Sequence, residues 1–337
     1  MLRLQTTLHC SAAAALLASA SASASPRYHE VNLDAVAGMQ ASAVAVNNRD
    51  VVALAGRSPT GALVSVLLDG QTGQIVYRSP DGDLVNALSD NGNAAGDSPT
   101  GPWVLIDGER RSVPLAHALG VNDRGDVVGF NGGFFPQAAL FSSKDGTVTQ
   151  LGTLGGIQSV AFAINSSGQI TGQADLAGLP GQESHAFRWQ RGVMEDLGTL
   201  GASPSLGRAI DEAGRVVGFS VMPDFVSGHA FLAGKDGPMQ DLGTLPNCST
   251  SVGRGVNTRG EAVGNSFLCT TFGRGRAFLV SGGTMFDLND LATSTDGLVF
   301  DDAHAINERG SIVGEAFGLA PSGRGIFRPF LLVRDGD

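Results

Sequence analysis

A ten-residue pattern recurs seven times along this chain and constrains its fold more than any other feature. The clearest copies cover residues 163–172, 209–218, 255–264 and 305–314, in the order Ala/Gly-Ile/Val-Asn/Asp-x-x-Gly-x-x-x-Gly. A fifth copy covers 120–129, and weaker copies cover 87–96 and 45–54. Self-similarity of this kind is the signature of a repeat architecture, in which each copy contributes one structural unit.

The segments around each copy have the length and punctuation of β-strands. Around the fourth copy, short apolar segments at 157–164, 169–174, 184–189 and 193–199 are separated by turns rich in Asn and Gly. This is typical of strands joined as hairpins. Asn or Asp caps such a turn with its side chain, and Gly at the fourth position accepts positive φ. Four strands in about 40–45 residues are typical of a propeller blade, so we predict an all-β, seven-bladed β-propeller of four-stranded antiparallel blades.

The two ends of the chain predict how the ring closes. The seventh copy supplies strands at 300–306, 311–317 and 327–333, and the chain then stops where a fourth strand is needed. Residues 28–33 resemble the fourth strand of the fourth copy. We therefore expect the N-terminal strand to complete the last blade, which leaves no exposed edge in that sheet. Residues 25–337 then form a single domain.

Residues 1–24 have the pattern of a secretory signal peptide. Arg3 supplies the positive start, and residues 8–17 form a short apolar run. Residues 22–24 read Ala-Ser-Ala, which fits cleavage after Ala24, and cleavage after Ala20 or Ala22 would fit almost as well. The run is too short to span a bilayer, and no other segment approaches about 20 apolar residues. We expect a secreted protein, extracellular or periplasmic, with no integral membrane segment.

Charge and composition narrow the classes of function. The formal net charge is −10, from 22 Lys and Arg against 32 Asp and Glu, so nucleic acid and anionic membranes are poor partners.

The chain contains no Gly-x-Ser-x-Gly elbow, His-Glu-x-x-His helix, P-loop or dense cluster of His and carboxylates. We expect no cofactor, no metal and a monomer. The favoured function is non-catalytic binding of an acidic small molecule, an extracellular glycan or a protein.

Cys248 and Cys269 are equidistant from the turn at 257–260, so they oppose each other across the first two strands of the sixth blade. Directly opposed residues bring their Cβ atoms to about 4.5–5.5 Å, within a small adjustment of disulfide geometry. We predict a disulfide. Two free buried thiols are the alternative, and they are less expected in an exported protein.

The third and fourth strands carry a second recurring signature. His185-Ala186-Phe187 and His229-Ala230-Phe231 are each followed by an Asp-Leu-Gly-Thr-Leu segment. This arrangement resembles the HAF repeat, named for His-Ala-Phe, of probable extracellular bacterial proteins. The match is close in the fourth to sixth blades and fair in the third and seventh. The resemblance implies secretion and a repeat scaffold, and it implies no catalytic residues.

Two sets of polar residues on these outer strands invite a functional interpretation. His185 and His229 occupy equivalent positions and could suggest a metal. Asp196, Asp241 and Asp287 recur on fourth strands and could suggest glycosidase carboxylates. However, equivalent positions on different blades are spread around a ring. A structural role, as turn caps or ion-pair partners, is therefore favoured for both sets.

One inner-strand position is the better candidate for a site. Three residues before each turn, the innermost strands carry Val44, Asn86, Leu119, Phe162, Arg208, Arg254 and His304. The last three would form a basic arc if they point into the central channel, with Asp301 and Asp302 close to His304. Arg274 and Arg276 approach through the loop of the sixth blade. Such an arc suits a carboxylate, phosphate or uronic acid. The alternative is that Arg208 and Arg254 pair with Asp between blades.

Loop lengths indicate which face of the propeller binds. Connections on one face are uniformly short, whereas those between second and third strands, and from one blade to the next, vary in length. Function concentrates in variable loops on rigid scaffolds, so we place the site on this variable face or in the channel. Phe134-Phe135 and Phe225 lie in these loops and could stack on sugars or dock a partner, although burial beneath the loops is expected.

Two further functions stay open at this point. One is an extracellular hydrolase or lyase acting on acidic glycans, with Arg208, Arg254 and His304 holding the substrate and His304 or Asp301 handling protons. The other is a structural component of the cell envelope.

Overall fold

The structure is a computed structural model that describes residues 25–31, 33, 39–178, 183–270, 275–320 and 322–336. The predicted signal peptide and Arg274 lie outside the described residues. Strands make up 57% of the chain and helix 1%, which confirms the all-β prediction. Within the described residues, no helix is long and apolar enough to cross a membrane.

Each repeat copy supplies the first two strands of one antiparallel unit, and we number these units, the blades, after the copies. The first described strand, β1 (Tyr28–Val31), belongs to the last blade. Blade 1 contains β2 (Gln40–Val46), β3 (Val51–Arg57), β4 (Leu63–Asp69) and β5 (Ile75–Arg78). Blade 2 contains β6 (Leu84–Leu88), β7 (Ala94–Asp97), β8 (Trp103–Ile106) and β9 (Glu109–Ser112). Blade 3 contains β10 (His117–Val121), β11 (Val127–Asn131), β12 (Gln137–Phe141) and β13 (Val148–Gln150).

The later blades follow the same plan. Blade 4 contains β14 (Gly155–Ile164), β15 (Ile170–Leu176), β16 (Ser184–Gln190) and β17 (Val193–Asp196). Blade 5 contains β18 (Ala202–Ile210), β19 (Val216–Val221), β20 (Gly228–Ala233) and β21 (Met239–Gly243). Blade 6 contains β22 (Thr250–Val256), β23 (Ala262–Phe267), β24 (Arg276–Ser281) and β25 (Thr284–Asp287), followed by the short helix α1 (Leu288–Leu291). Blade 7 contains β26 (Val299–Ile306), β27 (Ile312–Leu319), β28 (Gly325–Arg334) and β1. A single parallel pair, Gly228 with Thr250, links blades 5 and 6.

The N-terminal strand completes the last blade, as the sequence predicts. β1 pairs antiparallel with β28, from Tyr28 opposite Arg334 to Val31 opposite Leu331. The innermost strands of successive blades contact one another, and β26 of blade 7 contacts β2 of blade 1. The described blades therefore form a closed ring in which the two chain ends share one sheet.

The last Gly of the repeat, on the second strand, is explained by close packing against the first and third strands of its blade. A Cβ added to Gly172 would lie 1.9 Å from the Val160 carbonyl oxygen and 2.9 Å from the Phe187 ring. Gly218 and Gly264 have the same surroundings, with the Phe231 and Phe278 rings each 2.9 Å away. These Phe side chains are fully buried. A side chain at this position would collide with the first-strand carbonyl oxygen and with the buried Phe of the third strand, so only Gly fits there.

The Asn that begins most of these turns both caps its own turn and bonds to the next blade. The Oδ1 atom of Asn165 accepts the Gln169 N–H at 2.9 Å, which is the predicted cap. Its Nδ2 atom donates to the Asp211 carbonyl oxygen of the next blade at 2.9 Å. Equivalent bonds join every described blade to its neighbour. In blades 1, 3, 6 and 7 the donor is again the turn Asn, namely Asn47, Asn122, Asn257 and Asn307. In blades 2 and 5, whose turns begin with Ser89 and Asp211, the donors are Asn93 and Arg215. We call this ring of bonds the turn belt.

The predicted disulfide is present. Cys248 and Cys269 are bonded, with their Cα atoms 3.9 Å apart. They lie just beyond the ends of β22 and β23 and continue the register in which Thr250 is opposite Phe267. Because the bond encloses the whole β22–β23 hairpin, it joins the start of the loop between β23 and β24 to the connection that precedes β22.

Candidate functional site

Every innermost strand has a bulge at the position that the sequence singles out. In blade 5 the pairing skips one residue between Gly207 and Ala209, and Arg208 is the extra residue. The equivalent bulged residues are Val44, Asn86, Leu119, Phe162, Arg254 and His304. A bulge leaves one residue unpaired and re-aims its side chain. All seven side chains retain some exposure although they lie on the innermost strands, which is consistent with their lining the central channel.

Arg254 and His304 converge on one carboxylate, that of Asp302. The Arg254 Nη2 atom lies 2.7 Å from Asp302 Oδ2, and the His304 Nε2 atom lies 3.4 Å from the same oxygen. Asp302 is 8% exposed. Its two partners belong to different blades, so the alternative in which Arg208 and Arg254 pair with Asp between blades holds for Arg254. The sequence assigns Asp301 to the site and misses Asp302. Asp302 and His304 are two residues apart on one strand, and this spacing is the signal that favours Asp302.

Arg208 completes the basic arc without an ion pair. Within the described part of the chain, no carboxylate lies within ion-pair distance of its guanidinium. The group instead lies over the Phe162 ring of blade 4, 5.2 Å from the ring centroid, which is a cation–π contact. Desolvation among the inner strands lowers the pKa of Arg208, repulsion from Arg254 lowers it further, and Asp302 raises it. The arc therefore holds two guanidinium groups and an imidazole against one carboxylate.

His304 is held in an environment that favours its protonated form. Burial opposes its charge, but the hydrogen bond and the charge of Asp302, with a bond to the Ala43 carbonyl oxygen, raise the pKa of His304 above its ordinary value. The His304 Nδ1 atom lies 2.8 Å from that carbonyl oxygen. Both ring nitrogens are therefore engaged, one across the junction with blade 1 and one with Asp302.

The remaining predicted site residues do not join the arc in the same way. Asp301 lies at a second bulge of β26, between Phe300 and Asp302, and is half-buried. Arg276 pairs with Asp287 on the outermost strand of blade 6. The expectation that Arg276 approaches the arc is corrected, because this buried carboxylate holds its guanidinium among the outer strands. Arg274 lies outside the described residues.

The recurring His and Asp residues of the outer strands pair with each other. The His185 Nδ1 atom lies 2.9 Å from Asp196 Oδ1, and His229 Nδ1 lies 2.9 Å from Asp241 Oδ1. Arg276 and Asp287 are the equivalent pair in blade 6. Each of the first two Asp also accepts the backbone N–H two residues on, at 2.7 Å. The structural interpretation of these residues is therefore supported by their contacts.

The channel mouth on the short-turn face is acidic. A cavity of about 170 Å³ is lined there by the ends of the first strands and by four rim carboxylates, those of Asp90, Asp123, Glu212 and Glu308. Each rim carboxylate accepts a backbone N–H from the turn of the preceding blade. Burial raises the pKa of Asp90, and repulsion from the other three adds to this. The rim carboxylates thus join blades in parallel with the turn belt. No group of three or more His, Cys, Asp or Glu side chains is placed to hold a metal ion in the described residues.

The aromatic loop residues are exposed, so the expectation that they are buried is wrong. Phe134 is 90% exposed and packs edge to face on Phe135, and Phe225 is 75% exposed.

Comparison with known proteins shows the fold class. No family model and no curated protein matches the chain. The β-propeller domain of the Trilobed protease from Pyrococcus furiosus is similar with a TM-score of 0.56 and 8% identity, over 89% of this chain and 96% of that one. Acylaminoacyl peptidase from Pyrococcus horikoshii is similar with a TM-score of 0.54 and 12% identity, over 89% of this chain and 52% of that one. TolB from Acinetobacter baumannii is similar with a TM-score of 0.47 and 15% identity, over 74% of this chain and 63% of that one.

The fold is therefore a β-propeller, the class to which the first two of these solved structures belong. At such low identities the likeness shows the fold alone, and seven blades stay the count that the repeat predicts. Propellers support binding and interaction, and the site must be argued from this chain's own residues.

Proposed function

We propose that this protein is a secreted, non-catalytic binding propeller that receives an anionic group of its ligand at Arg208 and Arg254. The observation that carries the proposal is the basic arc, in which Arg254 and His304 share the Asp302 carboxylate and Arg208, on the next blade, has no carboxylate within ion-pair distance in the described structure. Arg208 carries the argument furthest, because its side chain is exposed to a ligand and no carboxylate of the described structure lies within ion-pair distance of it.

The chemistry of the arc favours a carboxylate or phosphate. Guanidinium groups present a planar fork that binds such anions through two parallel hydrogen bonds. The Phe162 ring lies beneath the Arg208 guanidinium and contacts it through a cation–π interaction. An arriving anion would offset the repulsion between Arg208 and Arg254. A uronic acid supplies this carboxylate on a sugar ring, which makes acidic glycan fragments the first ligands to test.

The geometry favours binding over catalysis. A general acid or base must reach the substrate with a free proton site. Both His304 nitrogens are engaged, by Ala43 and by Asp302, so His304 is poorly placed to exchange protons with a substrate. The second function, a hydrolase or lyase, would require His304 to leave one of these partners.

Secretion is part of the proposal and has separate support. The Cys248–Cys269 disulfide suits an oxidising compartment, as do the signal-peptide pattern of residues 1–24 and the resemblance to the HAF repeat. N-terminal sequencing of the exported protein tests this point. A mature chain that begins after Ala24, Ala22 or Ala20 supports it, and an exported chain that retains residue 1 contradicts it.

Calorimetric titration with oligogalacturonate, inorganic phosphate and a neutral oligosaccharide of equal length tests the anion site. We expect saturable binding of an anionic ligand and none of the neutral one. The triple variant Arg208→Ala, Arg254→Ala, His304→Ala should lose this binding. The control is Arg111→Ala, since Arg111 is exposed and pairs only with exposed Glu109. Equal binding by a folded triple variant would show that the arc is scaffolding.

A further inference from the structure

A polar cavity lies beside the loop that joins the second and third strands of blade 4, on the variable face. Its volume is about 270 Å³, several times the roughly 30 Å³ that one water molecule occupies. Gln173, Asp175 and Ser184 line it from one face of the sheet, because the first two alternate on β15 and Asp175 lies opposite Ser184 on β16. The lining also contains Gln158, Pro136 and Pro204. We call this space the blade 4 cavity.

Asp175 is buried in the wall of this cavity without a partner in the described structure. It is 6% exposed, and its Oδ2 atom accepts no hydrogen bond there. Among the described residues that line the cavity, it is the only charged one. Buried charges in proteins are normally paired or hydrogen-bonded, because desolvation without compensation is costly. A ligand in the cavity can supply the cation or the donors that Asp175 lacks.

The repeat does not require a carboxylate at this position. Asp175 lies ten residues after Asn165, which begins the turn of blade 4. The equivalent residues in the other copies of the repeat are Arg57, Pro99, Gly132, Val221, Phe267 and Phe317. None of them is acidic, so the scaffold forms without a negative charge here. Asp175 is thus a departure from the repeat at the edge of a variable loop, where function concentrates.

The loops around the blade 4 cavity favour a cationic ligand. On the variable face, the connections within and after blades 3, 4 and 5 are residues 132–136, 151–154, 177–183, 197–201, 222–227 and 244–249. By sequence, their only charged residues are Glu183 and Asp224, and both are acidic. Arg208 lies four residues beyond Pro204 on β18, about 13 Å along the strand, which exceeds the screening length of about 8 Å at physiological salt. The field around Asp175 therefore attracts cations.

We propose that the blade 4 cavity binds a primary ammonium group carried on an unbranched alkyl chain, such as that of a lysine side chain or a polyamine. The ammonium group brings a positive charge and three N–H donors to Asp175. The amide oxygens of Gln158 and Gln173 supply further acceptors. The Nε2 atom of Gln173 is already engaged, since it donates to Ser184 Oγ.

Two other ligand classes fit the cavity less well. A divalent metal ion such as calcium takes about six to eight oxygen ligands, and Asp175 is the only carboxylate in the described lining. A sugar hydroxyl donates a hydrogen bond but leaves the charge of Asp175 uncompensated. Pro136 and Pro204 instead offer apolar surface along which an alkyl chain can lie while its charged end reaches the carboxylate.

Isothermal titration with cadaverine and with the peptide acetyl-Gly-Lys-Gly-amide tests the proposal. We expect saturable binding of at least one of them, and the tighter of the two shows whether a polyamine or a peptide is the preferred source of the ammonium group. Pentane-1,5-diol and the peptide with an acetylated lysine side chain keep the chain length without the charge, and they should not bind.

Asp175→Asn should lower the affinity for the ammonium probe by about tenfold or more, as expected for a lost charge-assisted hydrogen bond. This variant should be at least as stable as the wild type, because it removes an unpaired buried charge. The matched control is Glu183→Gln, which removes the same charge from an exposed residue of the same loop. The control should bind within about twofold of the wild type, since Glu183 does not line the cavity.

Four results would overturn the proposal. They are no saturable binding of either ammonium probe, equal binding of the neutral counterparts, undiminished binding by Asp175→Asn, and equal losses in Asp175→Asn and Glu183→Gln. The last result would mean that only the overall charge of the protein attracts the probe. No residue of the basic arc lines the cavity, so the triple variant of the arc should bind the ammonium probe normally. This proposal and the anion site therefore fail separately.

Discussion

The Nδ2 atom of Asn307 donates to the backbone carbonyl oxygen of Asn47 at 2.8 Å, and this bond fastens the turn of the last blade to the turn of the first. The two residues are 260 positions apart in the sequence. Together with the pairing of β1 and β28, the bond closes the ring in which the channel and its basic arc are held.

Replacing Asn307 by Ser isolates the turn belt from turn capping, because Ser89 begins the same turn in blade 2. The buried Asn47 oxygen and Asp50 would each lose a donor from Asn307. We expect the free energy of unfolding to fall by about 1–3 kcal/mol. Urea unfolding measures this. Asn131→Ser is the control, since the Asn131 side chain makes no hydrogen bond in the described structure, and an equal effect of both changes would contradict the role of the turn belt.

Replacing Gly172 by Ala forces a Cβ against a carbonyl oxygen and the Phe187 ring. The strand must shift, and we expect a loss of about 2–4 kcal/mol in the free energy of unfolding. Gly133→Ala is the matched control, because nothing lies within 4 Å of its added Cβ. Thermal unfolding of both variants distinguishes them. If Gly172→Ala were as stable as the control, the packing explanation of the repeat's last Gly would be wrong.

The disulfide should contribute measurably to stability. The two cysteines are 21 residues apart, and a crosslink over a loop of this size contributes about 3 kcal/mol in the chain-entropy account. Cys248→Ser, Cys269→Ser should lower the free energy of unfolding by roughly this amount. Thiol titration of the denatured mature wild type should detect free thiols only after reduction. Two free thiols without reductant would contradict the structure.

Stability should depend on pH through His304. The fold raises the pKa of His304, so its contribution to stability is fully present below the unfolded value of about 6.5 and is lost as the pH rises through the higher folded value. We expect the melting temperature of the wild type to fall more between mildly acidic and mildly alkaline pH than that of His304→Asn. Parallel curves for the two proteins would show that His304 is not held in its protonated form.

Local signals in the sequence predict the scaffold well. The alternation and spacing of the strands predict the propeller, the Tyr28–Val31 strand in the last blade, and the opposition of Cys248 and Cys269. These features follow from register within one hairpin or one blade, which a period-two pattern sets.

Contacts between blades are harder to predict, because they depend on how the ring brings distant segments together. The sequence shows Arg208, Arg254 and His304 as departures from the repeat. It does not show the β-bulge that changes the direction of their side chains. The pairing of both Arg254 and His304 with Asp302, the pairing of Arg276 with Asp287 and the exposure of Phe134 also depend on this geometry. The donors of the turn belt are visible only as capping residues.

The central claim, that the basic arc receives an anion, is tested most directly at Arg208, because no ion pair with a carboxylate in the described structure is broken when it is changed. Arg208→Gln should keep the wild-type melting temperature and lower the affinity for an anionic ligand such as oligogalacturonate by about tenfold or more, as expected for a lost charge-assisted hydrogen bond. Isothermal titration of the two proteins side by side measures this. Unchanged affinity in a normally folded Arg208→Gln protein would contradict the account.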